Sequence, residues 1–295
     1  MLEDGKNMNT LNKQRNPAKS GDWTTNFVHY WKYYSPPARA SPSDLRFIEA
    51  KIKGRIAKCG KDNVKVLVLG ATPEYRNLCG ELGVHCYCFD FSKYNYEYLT
   101  AEIKSDFKPK LKEVFIEGNW VEKVLDDKFD IILGDNVLNL VFGEDLSKML
   151  NNIRNMLKKE GIFMPRSYIM DKDERLTAEE AVKQYREEGS KKPIYSWLGR
   201  DLYLPTQLLD MKKGFFMLKD MWLLIIGLHN KGLLTNNELE EFSKLSYENR
   251  EFRFFLPVLE DFENLLNEFF IIKETFYGTE PYLKNKFHLH VLMRK

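Results

Sequence analysis

The chain of 295 residues is 43% hydrophobic and 14% aromatic, enough apolar material for one large core or for a core with an elaboration. Its 45 lysines and arginines nearly balance its 43 aspartates and glutamates, which excludes an overall charge that would draw the chain to nucleic acid or to an anionic membrane. The most apolar run, residues 221–228, is far shorter than the roughly 20 residues of a membrane-spanning helix, so we expect no membrane partner.

The N-terminal part divides into a tail and an aromatic segment. Residues 1–20 are rich in Asn, Lys, Asp and Gly and lack the apolar run of a signal peptide, so we predict a flexible tail. Residues 21–60 are predicted to form a helical and aromatic segment, in which FVHYWKYY starts at Phe27 and Ser41 precedes a helix over 44–58. The aromatic part either covers a sheet edge or closes over a ligand.

The four cysteines lie inside apparently regular elements and have no C-x-x-C spacing. This usage indicates free thiols and a cytoplasmic location. Cys86 and Cys88 alternate on a strand and so project to one face, a pattern that favours packing over a metal site. We therefore predict no metal.

Short apolar runs alternate with amphipathic segments from residue 64 to residue 170. The runs are typical of strands that are buried on both faces of a parallel sheet. They are residues 64–69, 84–89, 113–117, 129–133 and 162–170. Between them, one helix is predicted to start at Pro73 after a Thr72 cap and to stop at Gly83, and another to span 144–159, with lysines in its last turn. The alternation predicts a doubly wound sheet.

The pattern changes after the fifth strand. Residues 171–257 are predicted to be several helices without intervening strands, including one over 218–229 and one capped by Thr235 that runs through Leu245. A helix over 258–268 and strands over 269–276 and 287–293 follow. The connection between these strands is too short for a parallel crossover, so they are predicted to be an antiparallel pair.

The predicted fold is therefore α/β, a doubly wound, Rossmann-like, seven-stranded sheet with a terminal antiparallel strand pair and a helical insertion after strand five. The core is predicted to comprise residues 61–170 and 258–295. Residues 171–257 are predicted to be a helical insertion or cap.

Asp90 ends the second strand, 20 residues after Gly70. In doubly wound sheets a carboxylate at this place accepts hydrogen bonds from the ribose hydroxyls of an adenosine cofactor. The other interpretation is that Asp90, with Ser92, caps the following helix. The spacing favours the ribose role.

Five segments in this order resemble the motifs of the class I S-adenosylmethionine-dependent methyltransferases. They are VLVLGATPEYR, CYCFDFS, IEGNW, FDIILGDNVLNLV and IRNMLKKEGIFMPR, and the first resembles a subset that has LG-x-TP-E. The resemblance implies S-adenosyl-L-methionine as cofactor, S-adenosylhomocysteine as product and a class I Rossmann-like fold.

The resemblance also implies a set of cofactor-binding residues. They are Gly70, Ala71, Thr72, Asp90, Phe91, Asn119, Trp120, Gly134 and Asp135. Asn119 is either an adenine contact or a turn residue. Asp135 and Arg166 are the candidate catalytic residues; Arg166 either holds an anionic substrate or pairs with an acid.

The first motif departs from the family pattern. An acid usually stands two residues before the first glycine, where this chain has Val68, and Thr72 and Glu74 replace the later glycines. S-adenosylmethionine has no pyrophosphate, so its loop does not need to wrap a dianion. Amides of the first helical turn remain available for the methionine carboxylate.

The candidate acceptor-binding residues are Tyr30, Tyr34, Asn139 and Trp197. The preferred function is methyl transfer to an oxygen or nitrogen atom of a small molecule, with the insertion as a cap. Two alternatives stay open: methylation of RNA or a peptide that docks on the insertion, and a noncatalytic cofactor-fold binding protein. Lysines and arginines alternate with acids in residues 171–192, a pattern more typical of a solvated helix than of an RNA-binding stripe.

Overall fold

The computed structural model describes residues 27–141, 143–170, 176–187, 194–209, 215–244, 253–280 and 286–295. Its strands are β1 (Lys65–Leu69), β2 (His85–Asp90), β3 (Lys112–Glu117), β4 (Phe129–Asp135), β5 (Leu157–Tyr168), β6 (Phe215–Met217), β7 (Arg253–Phe255), β8 (Phe270–Tyr277) and β9 (Phe287–Arg294). Its α-helices are α1 (Pro42–Cys59), α2 (Pro73–Leu82), α3 (Lys93–Leu99), α4 (Glu144–Met156), α5 (Ala178–Glu187), α6 (Arg200–Leu209), α7 (Leu218–Asn230), α8 (Asn236–Ser243) and α9 (Leu259–Phe269).

Seven of the strands form one sheet in the order β3-β2-β1-β4-β5-β9-β8. The pairs from β3 to β5 are parallel, whereas β9 is antiparallel to both β5 and β8. The predicted seven-stranded fold with its terminal antiparallel pair is confirmed. Because β1 leads to β2 on one side and β4 lies on its other side, the strand order reverses between β1 and β4, where open α/β sheets bind ligands.

Side chains of β1 alternate between the two faces of the sheet. Val66 and Val68 pack with residues of α1 and α2, including Ile48 and Tyr75. Leu67 and Leu69 pack on the opposite face, in the cluster that contains residues of α4 and α9. The run is uniformly apolar because helices cover both faces.

Helix ends follow the sequence signals. Ser41 caps α1 with a capping box in which its hydroxyl accepts from the Asp44 amide and Asp44 accepts from the Ser41 amide. The predicted limits of α2 are confirmed: Pro73 begins it, and Gly83 ends it in a left-handed conformation with φ 65°. Thr72 occupies the N-cap position, but its side chain makes no capping hydrogen bond.

The boundary between α4 and β5 differs from the prediction. The helix ends at Met156 and β5 begins at Leu157, which pairs with Phe129 across an irregular register, so residues 157–159 are strand and not helix. Lys158 does not interact with a helix end; its ammonium binds Asp130 at 2.6 Å. A Cβ at Gly161 would lie 2.7 Å from the Phe129 carbonyl oxygen, so the irregular pairing requires glycine there.

The insertion contains strands as well as helices, so the prediction of helices alone is wrong. Strands β6 and β7 pair antiparallel, with Phe216 opposite Phe254. Each has three residues, too few to show alternation in the sequence. Helices α5 to α8 contribute to one apolar cluster. Thr235 caps α8 as predicted, whereas Leu245, the predicted end of that helix, lies outside the described residues.

No helix in the described ranges combines the length and the hydropathy that crossing a bilayer requires. All four cysteines are free thiols, as the sequence predicts.

Candidate functional site

The candidate site lies where β1, β2 and β4 end at the same edge of the sheet. Gly70 directly follows β1, Asp90 is the last residue of β2, and Asp135 is the last residue of β4. Since these three strands are parallel neighbours, their carboxyl ends place these residues along one edge. This edge is next to the reversal of strand order, where a ligand crevice is expected.

Gly70 has φ 89°, a conformation that L-residues rarely adopt. Its amide donates to the Phe89 carbonyl at 2.8 Å, which extends the pairing of β1 with β2 by one residue. A Cβ at Gly70 would lie 3.8 Å from Asp90 Oδ2 and 3.9 Å from Trp120 Cζ2. The predicted first glycine, the ribose acid and the tryptophan therefore converge.

Asp90 is 7% exposed, and its carboxylate accepts from the Ser92 amide at 2.9 Å. Burial raises the pKa of Asp90 to about 6, against the lowering effect of the Ser92 and Phe91 amides. Ser92, whose hydroxyl accepts from the Asn95 amide, is the N-cap of α3. Since Ser92 performs the capping, helix capping does not account for Asp90 Oδ2, which faces the Gly70 loop.

Trp120 lies beside the loop that contains Gly70. Its indole N–H donates to the Phe89 carbonyl at 2.6 Å, the same oxygen that binds the Gly70 amide. Asn119 Oδ1 accepts from the Val121 amide at 2.9 Å, so this side chain shapes the turn. Asn152 of α4 donates to the Trp120 carbonyl at 3.0 Å. Sequence reasoning did not single out Asn152, because nothing local to α4 marks this contact.

Ala71, the residue after Gly70, packs with the N-terminal aromatic segment. Ala71 is buried in a cluster with Val28, Trp31 and Leu99. Thr72 is buried beside it, and Phe91 is half-buried. The aromatic segment therefore packs directly on the loop that follows β1.

Gly134 allows the end of β4 to approach the turn Val137–Asn139. A Cβ there would lie 2.4 Å from Val137 Cγ2. Asn136 has φ 55°, and its amide donates to the Arg166 carbonyl at 2.7 Å. This tight turn presents Asp135 and Asn136 at the edge of the sheet.

Asp135 and Arg166 form the centre of a buried ionic cluster. The Arg166 guanidinium donates to Asp135 Oδ1 at 2.9 Å, to Asp44 Oδ2 at 2.9 Å and to the Pro37 carbonyl at 2.7 Å. It also lies 4.2 Å from the centroid of the Phe287 ring. Of the two roles considered for Arg166, the structure shows the pairing with acids. These partners use all three nitrogens, so Arg166 acts as a positioning residue for Asp135.

Burial has the largest effect on the pKa values of Asp135 and Glu74, two acids of this region. The Asp135 side chain is 4% exposed, and burial raises the pKa of Asp135, partly offset by the Arg166 guanidinium. Burial also raises the pKa of Glu74, which the Arg39 guanidinium opposes and the Asp135 charge reinforces. Arg39 forms an ion pair with Glu74, and its guanidinium lies 5.0 Å from the Trp31 ring centroid.

The structure gives the candidate acceptor-binding residues different surroundings. Asn139 is fully buried; its amide donates to the Tyr168 and Phe255 carbonyls and accepts from the Tyr168 amide. It is a structural residue, because its donors and acceptor are used by the backbone, and the acceptor-binding prediction for it is corrected. Tyr34 contacts Tyr195 of the insertion edge to face, with centroids 5.3 Å apart.

The side chains of Tyr30 and Trp197, the other two candidate acceptor residues, lie outside the described part of the structure.

One group of described side chains has metal-ligand chemistry: the Cys86 and Cys88 thiols and the Glu113 carboxylate, whose ligand atoms lie within 4.8 Å of one another. Arg76 binds both oxygens of Glu113 at 2.7 and 2.8 Å, and the Tyr96 hydroxyl donates to Glu113 at 2.8 Å. A hydrogen bond with Cys79, with a smaller effect of burial, raises the pKa of the Cys86 thiol well above its usual value, and burial does the same for the pKa of the Cys88 thiol. The group is a hydrogen-bonded network, and the carboxylate is already paired.

Comparison with known proteins gives one family. Residues 69–164 match the family described as "Methyltransferase domain". No curated protein matches the chain.

Solved structures share the fold at low sequence identity. A protein from Rhodobacter sphaeroides that carries a zinc-dependent alcohol dehydrogenase name is 14% identical, with a TM-score of 0.57, over 92% of this chain and 97% of that one. Magnesium protoporphyrin IX methyltransferase from Synechocystis PCC 6803, with bound S-adenosylhomocysteine, is 12% identical, with a TM-score of 0.50, over 92% and 95%. At these identities the likeness shows the fold alone.

Proposed function

We propose, from the methyltransferase domain to which residues 69–164 belong, that the chain is an S-adenosyl-L-methionine-dependent methyltransferase. The proposed acceptor is an oxygen or nitrogen atom of a small molecule. The observation that carries the proposal is the convergence of Gly70, Asp90 and Trp120 beside the end of β4. The resemblance to class I methyltransferase motifs assigns Gly70 and Asp90 to the cofactor site, which supports the proposal.

The residues at this edge fit the cofactor. Asp90 is a buried carboxylate that would accept hydrogen bonds from the two ribose hydroxyls. Phe91 and Trp120 supply apolar surface and Asn119 a polar group for adenine, and the loop of Gly70, Ala71 and Thr72 leads into the N-terminus of α2. Bound S-adenosylmethionine would supply an electrophilic methyl group on a sulfonium.

Asp135 is the group proposed to orient the acceptor, together with Gly134 at the end of β4. Its raised pKa favours proton acceptance, while Arg166 keeps the carboxylate in place. Alignment and exclusion of water are the main requirements of an in-line methyl transfer. The aromatic segment and the insertion are proposed to contribute to alignment and to exclusion of water, since Tyr34 of the first contacts Tyr195 of the second.

The domain division also remains a proposal, with residues 1–20 as a tail, 21–60 as an aromatic segment, 61–170 and 258–295 as the core, and 171–257 as a cap. A cytoplasmic location is proposed on the same basis as before, the four free cysteines.

The acceptor class is tested by incubating the chain with methyl-labelled S-adenosylmethionine and a cell extract separated into small molecules, RNA and protein. We expect label to pass to the small-molecule fraction. Transfer to RNA or to protein would contradict the small-molecule acceptor and support docking on the insertion. An Asp135→Asn chain serves as the comparison, since it retains the size of the side chain and loses its charge.

Cofactor affinity is expected to depend on pH through Asp90. Its pKa in the free protein is about 6, and hydrogen bonds from ribose hydroxyls favour the ionised form, so binding lowers this pKa. Affinity for S-adenosylhomocysteine should therefore be constant above about pH 7 and fall by about tenfold as the pH is lowered from 7 to 5. Calorimetry across this range measures the effect, and an Asp90→Asn chain should lose most of it. An affinity that rises on acidification would contradict the assignment.

A further inference from the structure

Glu74 is a buried carboxylate in the first turn of α2, directly after the loop of the candidate site. Its side chain is 12% exposed. Arg39 binds Oε1, whereas Oε2 is buried and has no hydrogen-bond partner among the described residues. A buried carboxylate oxygen that gains no donor loses the free energy of its hydration. The arrangement is therefore complete only when a donor reaches Oε2.

The surroundings favour a cationic donor. Asp44, Glu74 and Asp135 bring three acids to this edge, against the two guanidinium groups of Arg39 and Arg166, so the cluster carries one net negative charge when all five groups are ionised. Asp135 lies close enough to Glu74 for its charge to raise the pKa of Glu74.

A second unfilled acceptor lies in the same region. The Oδ1 atom of Asn136, the residue after Asp135, is buried without a hydrogen-bond partner in the part of the chain that the structure describes. Its amide nitrogen faces the Asp135 carboxylate at 3.2 Å, which fixes the orientation of the side chain. Glu74 and Asn136 therefore each have a buried oxygen acceptor that no donor among the described residues fills.

We propose that Glu74 binds the α-ammonium group of the methionine half of the cofactor through Oε2, with Asn136 Oδ1 as a second acceptor. The inference rests on the proposed function, because it names a residue of that same site. An ammonium group carries three N–H donors and a positive charge, which match two oxygen acceptors and a net negative cluster. Glu74 places a carboxylate directly after this loop, in the first turn of α2.

Arg39 is the positioning residue for Glu74. It holds Oε1, so that the other oxygen keeps one orientation, and its guanidinium is itself fixed over the Trp31 ring. The aromatic segment thus contributes to cofactor binding through an ion pair rather than only through covering the loop.

The test compares two ligands on a Glu74→Gln chain. S-adenosylhomocysteine carries the α-ammonium group, whereas 5′-methylthioadenosine shares the adenosine and the thioether but has no amino-acid part. Glutamine keeps an oxygen for Arg39 and places an NH₂ donor in the position of Oε2. We expect calorimetry to show an affinity for S-adenosylhomocysteine about tenfold or more lower, the range for a hydrogen bond to a charged group. Affinity for 5′-methylthioadenosine should change by less than about twofold.

Glu81→Gln is the matched control, because Glu81 is an exposed residue of the same helix, and it should leave both affinities unchanged. An equal loss for both ligands would show that Glu74 acts on the shape of the site, and no loss for either would show that it does not bind the cofactor; both results overturn the inference alone. A wild-type chain that binds neither ligand overturns the proposed function, and the inference with it.

Discussion

Replacement of Asp90 by asparagine is expected to weaken binding of S-adenosylhomocysteine by about 1.5–3 kcal/mol, the contribution of hydrogen bonds to a charged group. The carboxylate accepts from ribose hydroxyls in the proposed complex, and an asparagine retains one acceptor oxygen but loses the charge. The Ser92 amide can still donate to that oxygen, so the turn after β2 is retained. Calorimetry at pH 7 measures the change.

The same substitution should stabilise the free protein at neutral pH. The pKa of Asp90 is about 6 in the folded chain and 3.8 as the reference value, so ionisation of the folded chain costs up to about 3 kcal/mol. Because the folded state binds the proton more tightly, stability falls as the pH rises from about 4 to 6. Asp90→Asn should therefore raise the free energy of unfolding at pH 7 by about 1–3 kcal/mol, and this gain should disappear below about pH 4.

Urea unfolding at pH 7 and below about pH 4 tests this effect on the free energy of unfolding. Asp126→Asn, at an exposed acid, is the control. A carboxylate kept at such a cost is explained by binding, since the free protein would be more stable without it. If the variant unfolds more easily than the wild type at pH 7, or binds the ligand equally well, the assignment of Asp90 is wrong.

Replacement of Arg166 by methionine is expected to lower the free energy of unfolding by about 3–5 kcal/mol, because it leaves two buried acids without their shared partner. Asp44 and Asp135 both bind this guanidinium, and their side chains are 1% and 4% exposed. Methionine fills part of the volume against Phe287, so the loss comes chiefly from the unpaired carboxylates.

The pH dependence separates this cause from a loss of packing. Without the guanidinium, the rise that burial causes in the pKa of Asp135 loses its main opposing charge, so protonation of this acid should make the destabilisation smaller as the pH is lowered from 7 to about 5. Urea unfolding at both values provides the measurement. Arg46→Met, at an exposed position of α1, is the control. A loss below about 1 kcal/mol, or one that is the same at both pH values, would contradict the buried-cluster account.

Local sequence patterns were sufficient to predict the sheet and the position of its binding edge. Uniformly apolar strands indicate burial on both faces, and the short segment before β9 indicates an antiparallel pair. The 20-residue interval between Gly70 and Asp90 follows from one strand, one helix and the next strand, so spacing alone brings the two residues to one edge.

The ionic cluster could not be predicted in the same way, because it depends on long-range contacts. Arg166 and Asp44 are separated by 122 residues, and Arg39 and Glu74 by 35. The sequence places Asp44 in the first turn of a helix and Glu74 in the position of a glycine, and each local interpretation is compatible with the additional partner.

Asn139 is a residue for which the local sequence pattern gave a wrong prediction. Its position in the loop after β4 suggested a residue exposed to an acceptor, but the chain returns over it, and the backbone of Tyr168 and Phe255 satisfies its amide. The partner Phe255 belongs to β7, one of the two three-residue strands that the sequence did not reveal. A prediction about a loop residue fails here because the segment that covers it was not predicted.

Calorimetric titration of the full chain with S-adenosylhomocysteine tests the central claim most directly. The account predicts saturable binding of one ligand per chain, displaced by S-adenosylmethionine and weakened by Asp90→Asn. A wild-type chain that is folded and shows no binding of either compound would contradict it.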